Sequence, residues 1–239
     1  MFEPWLPALA PHWRVLALDT PGYGGSDALP RPATQLADYV PVLHTLLQDI
    51  AGPRWHLYGS ATGAQLAIAL ALRHPASVQH LLLDNAAHFD EAEREALLAR
   101  YFPDLTPQPD GSHLGRAWTM ARQMLQYFPW FENNEAHRIT SREPTAADIH
   151  QGLVELLAAG PGYAQAYRAA FLHERADHVQ ALQVPTTLLR WQGSVLLRHI
   201  DRLLQFKLPP QLRVLDTPAP LDQRYAVMTA HLLSLQSAS

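Results

Sequence analysis

The sequence contains no cysteine among its 239 residues. This absence excludes disulfides, thiolate metal sites and a cysteine nucleophile together, and it is compatible with a reducing compartment. No apolar run approaches the roughly 18 consecutive residues that a membrane-spanning helix needs. The first fourteen residues carry prolines and Glu3 within their apolar stretch, unlike a secretory signal. We therefore expect a soluble, cytoplasmic protein.

Clusters of basic residues are also lacking, and the net charge is −4. The electrostatic signature of a nucleic-acid or anionic-membrane partner is therefore missing, and a small neutral or apolar molecule is the expected partner. The thirteen histidines are scattered singly, without an H-x-x-x-H pair, so we expect no metal site. The segment PGYGG at 21–25 lacks G-K-[ST], so no nucleotide or other cofactor is expected.

Short apolar runs alternate with helical patterns at both ends of the chain. Such alternation is typical of βαβ units, in which helices cover both faces of a mostly parallel sheet. The predicted strands are 14–19, 56–58, 81–84, 186–191 and 213–215, and the predicted helices are 36–50, 62–73 and 221–234.

The middle of the chain, from about 88 to 181, shows no strand pattern. Helix-like pieces at 91–101, 115–127, 146–159 and 163–175 are separated by segments rich in proline and glycine. Aromatic residues gather here, among them Trp118 and Trp130, which we predict to line a pocket. The alternative is that they pack a helical core, because cores need aromatic volume more often than pockets do.

Three segments together resemble the α/β-hydrolase family. LALDTPGYGGSD at 16–27 is similar to a family strand ending in D-x-P-G-x-G-x-S, and WHLYGSATGAQLAIALALRHP at 55–75 is similar to the nucleophile elbow. VPTTLLRWQG at 184–193 is similar to the strand that leads to the catalytic acid. The resemblance implies an α/β core over 1–88 and 181–239, with a helical cap over 89–180.

The elbow lacks its expected nucleophile. Gly59 and Gly63 stand at the G-x-Nu-x-G spacing, where small residues permit a sharp strand-to-helix turn. The nucleophile position holds Ala61, which is followed by Thr62, and Ser60 lies one residue early. Ser60 is therefore only a weak candidate nucleophile, because activation also needs a base within reach.

The two partners of a catalytic serine are missing as well. Val195 occupies the position where the resemblance places the acid, and Asp201 lies at least one helical turn later. No histidine occurs in 215–225, where the base is expected, and His231 lies inside the last predicted helix, where we interpret it as a surface or packing residue. A triad works as a unit, so hydrolysis through an acyl-enzyme is not expected.

Asp84 and His88 follow the strand at 81–84, at the edge of a parallel sheet where such folds bind ligands. They are candidates for an alternative acid–base pair. The simpler interpretation is that Asp84 caps the next turn and His88 is a loop residue.

Three hypotheses remain from the sequence. The chain is a hydrolase-like protein descended from enzymes of small apolar esters, epoxides or halides, a non-catalytic small-molecule-binding pseudoenzyme, or an inactive truncated product. The third follows from the resemblance, which implies a central strand between those at 14–19 and 56–58 that this chain does not contain. We therefore expect a coding segment upstream of Met1.

Overall fold

The computed structural model describes residues 5–236, and its four strands form one parallel sheet. The strands are β1 (Trp55–Ser60), β2 (Val78–Asp84), β3 (Thr186–Trp191) and β4 (Leu212–Thr217), and they lie in the order β1-β2-β3-β4. Every neighbouring pair is parallel. Helices precede and follow each strand in the chain, which confirms the α/β class expected from the alternating pattern.

Ten α-helices accompany the sheet in the described part of the chain. The predicted helices 62–73 and 221–234 coincide with two of them. The other predicted helices differ from the observed ones by a few residues at their ends, and α1, α8 and α9 lie outside the predicted ranges. They are α1 (Leu6–Leu9), α2 (Val40–Ala51), α3 (Thr62–Arg73), α4 (Glu91–Arg100), α5 (Ser112–Met124), α6 (Ala146–Ala158), α7 (Ala164–His173), α8 (Ala176–Gln180), α9 (Leu197–Leu203) and α10 (Leu221–Ser234).

The prediction of a strand at 14–19 is wrong. All six of these residues are exposed and belong to no strand. An apolar β-rich run becomes a strand only when a neighbouring strand satisfies its backbone groups, and the described sheet provides no neighbour for this one. Strand β1 is consequently an edge of the sheet formed by residues 5–236.

The chain divides into two compact units. The first contains the whole sheet and comprises residues 5–19, Leu47–Ala87 and 176–236, whereas the second comprises Thr20–Leu46 and His88–Arg175. Helices α4 to α7 lie in the second unit, where the only described β pairing is one isolated bridge. The predicted limits of core and cap stay a prediction. No helix within residues 5–236 is long and apolar enough to cross a membrane.

Three successive sets of side chains follow one another along the strands on one face of the sheet, and we call these sets layers. The middle layer is apolar: Leu82 of β2 and Leu189 of β3 are buried against Met228 of α10. Trp5 and Leu9 from the start of the chain complete this cluster. Side chains alternate between the faces of a strand, so residues two positions away along β2 and β3 share this face and form the layers on either side.

Candidate functional site

The turn between β1 and α3 has the strained backbone of a nucleophile elbow. Ala61 adopts φ 49° and ψ −115°, a conformation that residues with a side chain rarely take. Its N–H donates a hydrogen bond to the carbonyl of Asp84 (2.9 Å), and its carbonyl accepts hydrogen bonds from the N–H groups of Ala64 and Gln65. The elbow therefore keeps its form although its exposed central side chain is a methyl group.

Gly59 is the residue that makes this turn possible. A Cβ on Gly59 would lie 2.2 Å from the carbonyl oxygen of Gly63, far inside contact distance. A Cβ on Gly63 would meet nothing within 4 Å. The expectation that both glycines relieve a collision is wrong for Gly63, because its backbone, not its missing side chain, makes the close contact.

Ser60 is the last residue of β1, and its hydroxyl oxygen is buried beside the phenol of Tyr58. A serine nucleophile has to be reached both by a base and by the substrate. Burial of this oxygen gives no support to Ser60 as a nucleophile. Thr62 begins α3 and is half-buried.

Asp84, at the end of β2, lies in a buried polar cluster. Its Oδ2 accepts a hydrogen bond from the Tyr58 hydroxyl (2.6 Å) and another from the guanidinium of Arg224 on α10. Asp84 and Arg224 are only 2% and 7% exposed. Burial, and after it the neighbouring Asp84 carboxylate, raises the pKa of Tyr58 above its ordinary value, so the phenol keeps its proton.

The indole of Trp191 holds the other side of Arg224. The guanidinium carbon lies 4.3 Å from the Trp191 ring centroid, and the indole N–H donates to the carbonyl of Ala219 (3.1 Å). A Cβ on Gly193 would come within 2.7 Å of the same indole, so glycine is needed there. The cluster thus joins the ends of β1, β2 and β3 to α10.

The ion pair in this cluster is made through one oxygen and one nitrogen. The second carboxylate oxygen of Asp84 and the Nε of Arg224 are both buried and have no hydrogen-bond partner within residues 5–236. The Asp84 side chain caps no turn, so that interpretation is wrong. Its carboxylate is committed to Arg224 and Tyr58, whereas the acid of a triad orients a histidine.

The other residues considered for the triad lie in ordinary structural roles. Val195 is exposed, and Asp201 forms a bidentate ion pair with Arg190 on α9 and β3. His231 contacts the hydroxyl of Thr187 on β3 (2.9 Å), so it lies against the sheet.

A hydrogen bond outside the Asp84 cluster joins the loops after β2 and β3. The hydroxyl of Ser194 donates to the side-chain oxygen of Asn85 (2.5 Å), and Asn85 has a positive φ of 54°. Asn85 directly follows Asp84, whose carbonyl holds the elbow, so both strained residues described outside glycine lie at neighbouring strand ends. Sequence reasoning missed Tyr58, Arg224, Asn85 and Ser194, because no motif marks them.

The candidates from the middle of the chain belong to the second unit. His88 is half-buried between β2 and α4, and Trp118 is 39% exposed on α5. The indole N–H of Trp130 donates to the carbonyl of Tyr101 (3.0 Å), and the ring packs at 6.0 Å from Phe131. Trp130 therefore has a packing role, which was the alternative for the aromatics, and the pocket stays a prediction.

Possible metal ligands are not grouped in the described residues. No group of three or more histidine, aspartate or glutamate residues within 5–236 is placed to hold an ion.

Comparison with known proteins gives a family and a fold. The model of the alpha/beta hydrolase fold family matches residues 1–201. A putative carbamate hydrolase, RutD of Yersinia enterocolitica, is 35% identical over 85 residues, which is 36% of this chain and 31% of that protein. The matched segment therefore spans less than a third of the length of this relative.

Two solved structures are similar over nearly the whole chain. A hydrolase from Pseudomonas aeruginosa PA01 has a TM-score of 0.66 at 19% identity, covering 97% of this chain and 84% of that one. MenH from S. aureus has a TM-score of 0.68 at 14% identity, covering 99% and 88%. At these identities the likeness shows the fold alone.

We expect Gly59→Ala to lower the free energy of unfolding by at least about 2 kcal/mol, because its Cβ would collide with the backbone of Gly63. Gly63→Ala is the matched control, and we expect it to be neutral or to stabilise by up to about 1 kcal/mol, since alanine favours helix. Urea unfolding followed by circular dichroism measures both. Equal losses for the two variants would contradict the assignment.

Asp84→Asn and Arg224→Gln should each lower the free energy of unfolding by about 3–5 kcal/mol, because each leaves a buried partner charge unpaired. The double variant should lose less than the sum, which a double-mutant cycle detects. Asp201→Asn, which breaks a more exposed ion pair with Arg190, serves as the control and should cost no more than about 1 kcal/mol. Additive losses at positions 84 and 224 would show that the two side chains do not interact.

Proposed function

We propose a function for a chain that belongs to the alpha/beta hydrolase fold family. We propose that it binds a small apolar molecule without hydrolysing it through an acyl-enzyme. The observation that carries the proposal is the pairing of an intact elbow backbone with a methyl group at its centre. Ala61 offers no atom that could attack a substrate, yet the strained turn around it is retained.

The state of Asp84 supports the same proposal. A serine hydrolase uses an acid to orient a histidine, and that histidine removes the proton of the nucleophile. Here the buried carboxylate is neutralised by Arg224 and accepts a hydrogen bond from Tyr58. Both hydrogen bonds are made to Oδ2, and the residue is only 2% exposed, so Asp84 is also poorly placed to take a proton from water.

An exposed apolar face on α5 supports the apolar ligand. Leu114 and Trp118 of α5, and Leu125 directly after its last residue, are each between 39% and 45% exposed. Their spacing of four and seven residues places them on one side of the helix. Exposed apolar surface of this kind is favourable for contact with an apolar molecule.

A second candidate function is hydrolysis by atypical residues. The name of RutD, a putative carbamate hydrolase, favours it, and Ser60 and His88 would then be the groups to examine. The substrate of this chain and its cytoplasmic location stay predictions.

We expect the chain not to accelerate the hydrolysis of p-nitrophenyl acetate, p-nitrophenyl butyrate or a p-nitrophenyl carbamate. The rate with the protein should equal the rate in buffer alone. Enzymes accelerate such reactions by at least about 10⁶-fold, so activity would be evident. Ala61→Ser should remain inactive, because it restores a hydroxyl without a base. Turnover by the unsubstituted chain that disappears in Ser60→Ala or His88→Gln would overturn the proposal and establish the second candidate.

Binding of an apolar ligand is tested with the neutral fluorescent probe Nile red. We expect saturable binding that weakens about tenfold in Trp118→Gln, because one buried aromatic contact is worth about 1.5 kcal/mol. Leu221→Gln, which changes a side chain 50% exposed at the start of α10, is the control and should bind as the unsubstituted chain does. Equal affinity for both variants would rule out α5 as the binding face.

A further inference from the structure

Three histidines of the first unit lie beside one another on the sheet face that α10 covers. His56 of β1 and His80 of β2 are partners in register, and their rings stack with centroids 6.4 Å apart. His231 of α10 lies next to His80, with ring centroids 5.8 Å apart. These residues are far apart in the sequence, and only the packing of α10 on the sheet brings them together.

A threonine hydroxyl joins two of the imidazoles. The Oγ1 of Thr187 lies 2.9 Å from the Nε2 of His80 and 2.9 Å from the Nε2 of His231. A hydroxyl has one proton to donate, so it can donate to one neutral imidazole and accept from the other. When both imidazoles are protonated, both nitrogens are donors and the hydroxyl proton loses its acceptor.

Two nearby cations, Arg54 before β1 and Arg213 on β4, oppose positive charge on this cluster. Two uncharged groups also contact it: Trp13 after α1, whose ring centroid lies 4.8 Å from that of His56, and Thr187 on β3. Burial, and after it the charge on His231, lowers the pKa of His80 to about 4, and burial lowers the pKa of His56 and His231 below their ordinary value as well.

We propose that His56, His80 and His231 form an acid-operated latch: as neutral imidazoles they hold α10 on the sheet, and their protonation in mildly acidic solution releases the helix.

The direction of the pH effect follows from proton linkage. A histidine in the unfolded chain has a pKa of about 6.5, so between that value and about pH 4 the released state binds more protons than the latched state. The latch is therefore closed above pH 6.5 and loses strength as the pH falls toward 4. Each histidine of the cluster can raise the equilibrium constant for release by up to about tenfold per pH unit.

The same helix carries Arg224. His231 lies seven residues after Arg224, about 10 Å along α10, with buried Met228 between them. Release of α10 at the histidine end would therefore weaken the contact of Arg224 with Asp84 and Trp191 at the other end of the sheet. The latch thus makes the cluster beside the elbow sensitive to acid.

The test is urea unfolding of the full chain between pH 7.5 and 4.5, with amide hydrogen exchange of α10 peptides corrected for the intrinsic rate at each pH. In the unsubstituted chain we expect the unfolding constant to rise with acid by up to tenfold per pH unit more than in His80→Gln, and α10 to gain exchange before α3 does. His150→Gln removes an exposed histidine of α6 and should retain the pH dependence of the unsubstituted chain.

Parallel pH dependences for the unsubstituted chain and His80→Gln, with uniform exchange, would overturn the proposal. Should His80→Gln fail to fold, NMR titration of the thirteen imidazoles in the unsubstituted chain decides the question. We expect the imidazole of His80 to titrate at about pH 4, and those of His56 and His231 to titrate below the ordinary value of about 6.5. Thirteen titrations at or above the ordinary value of about 6.5 would overturn the latch.

Discussion

The buried ion pair between Arg224 and Asp84 determines what the carboxyl end of this sheet can do. It neutralises the one acidic side chain at the end of β2, and it anchors the start of α10 to the sheet. Tyr58 and Trp191 complete the surroundings of the pair through a hydrogen bond and a ring contact. A buried charge pair costs more to break than to keep, so the Asp84 carboxylate stays paired with Arg224.

Helix α10 lies on three successive layers of one sheet face. At the carboxyl end Arg224 meets Asp84, in the middle Met228 meets the apolar layer, and toward the amino ends of the strands His231 meets Thr187. These helix residues follow a spacing of three to four, which keeps them on one stripe. Because one stripe serves all three layers, the latch proposed above would connect the two polar layers through one helix.

The backbone form of the elbow does not depend on a nucleophilic side chain at its centre. Its geometry depends on the missing side chain of Gly59 and on the hydrogen bond from the N–H of Ala61 to Asp84. Neither requirement involves the side chain at the centre of the turn. The strain at Ala61 is therefore sustained by contacts of the backbone.

The sequence by itself determined the class of fold, the limits of α3 and α10, and the absence of a nucleophile at Ala61, because these depend on local periodicity, on glycine positions and on identity at one position. It failed for the strand at 14–19, since strand formation needs a neighbour that periodicity does not report. Only the tertiary structure decided that Arg224 pairs with Asp84 and that His231 joins His80, 140 and 151 residues away along the chain. Contacts over such separations are fixed by how a helix packs on a sheet, and local pattern carries no record of the partner.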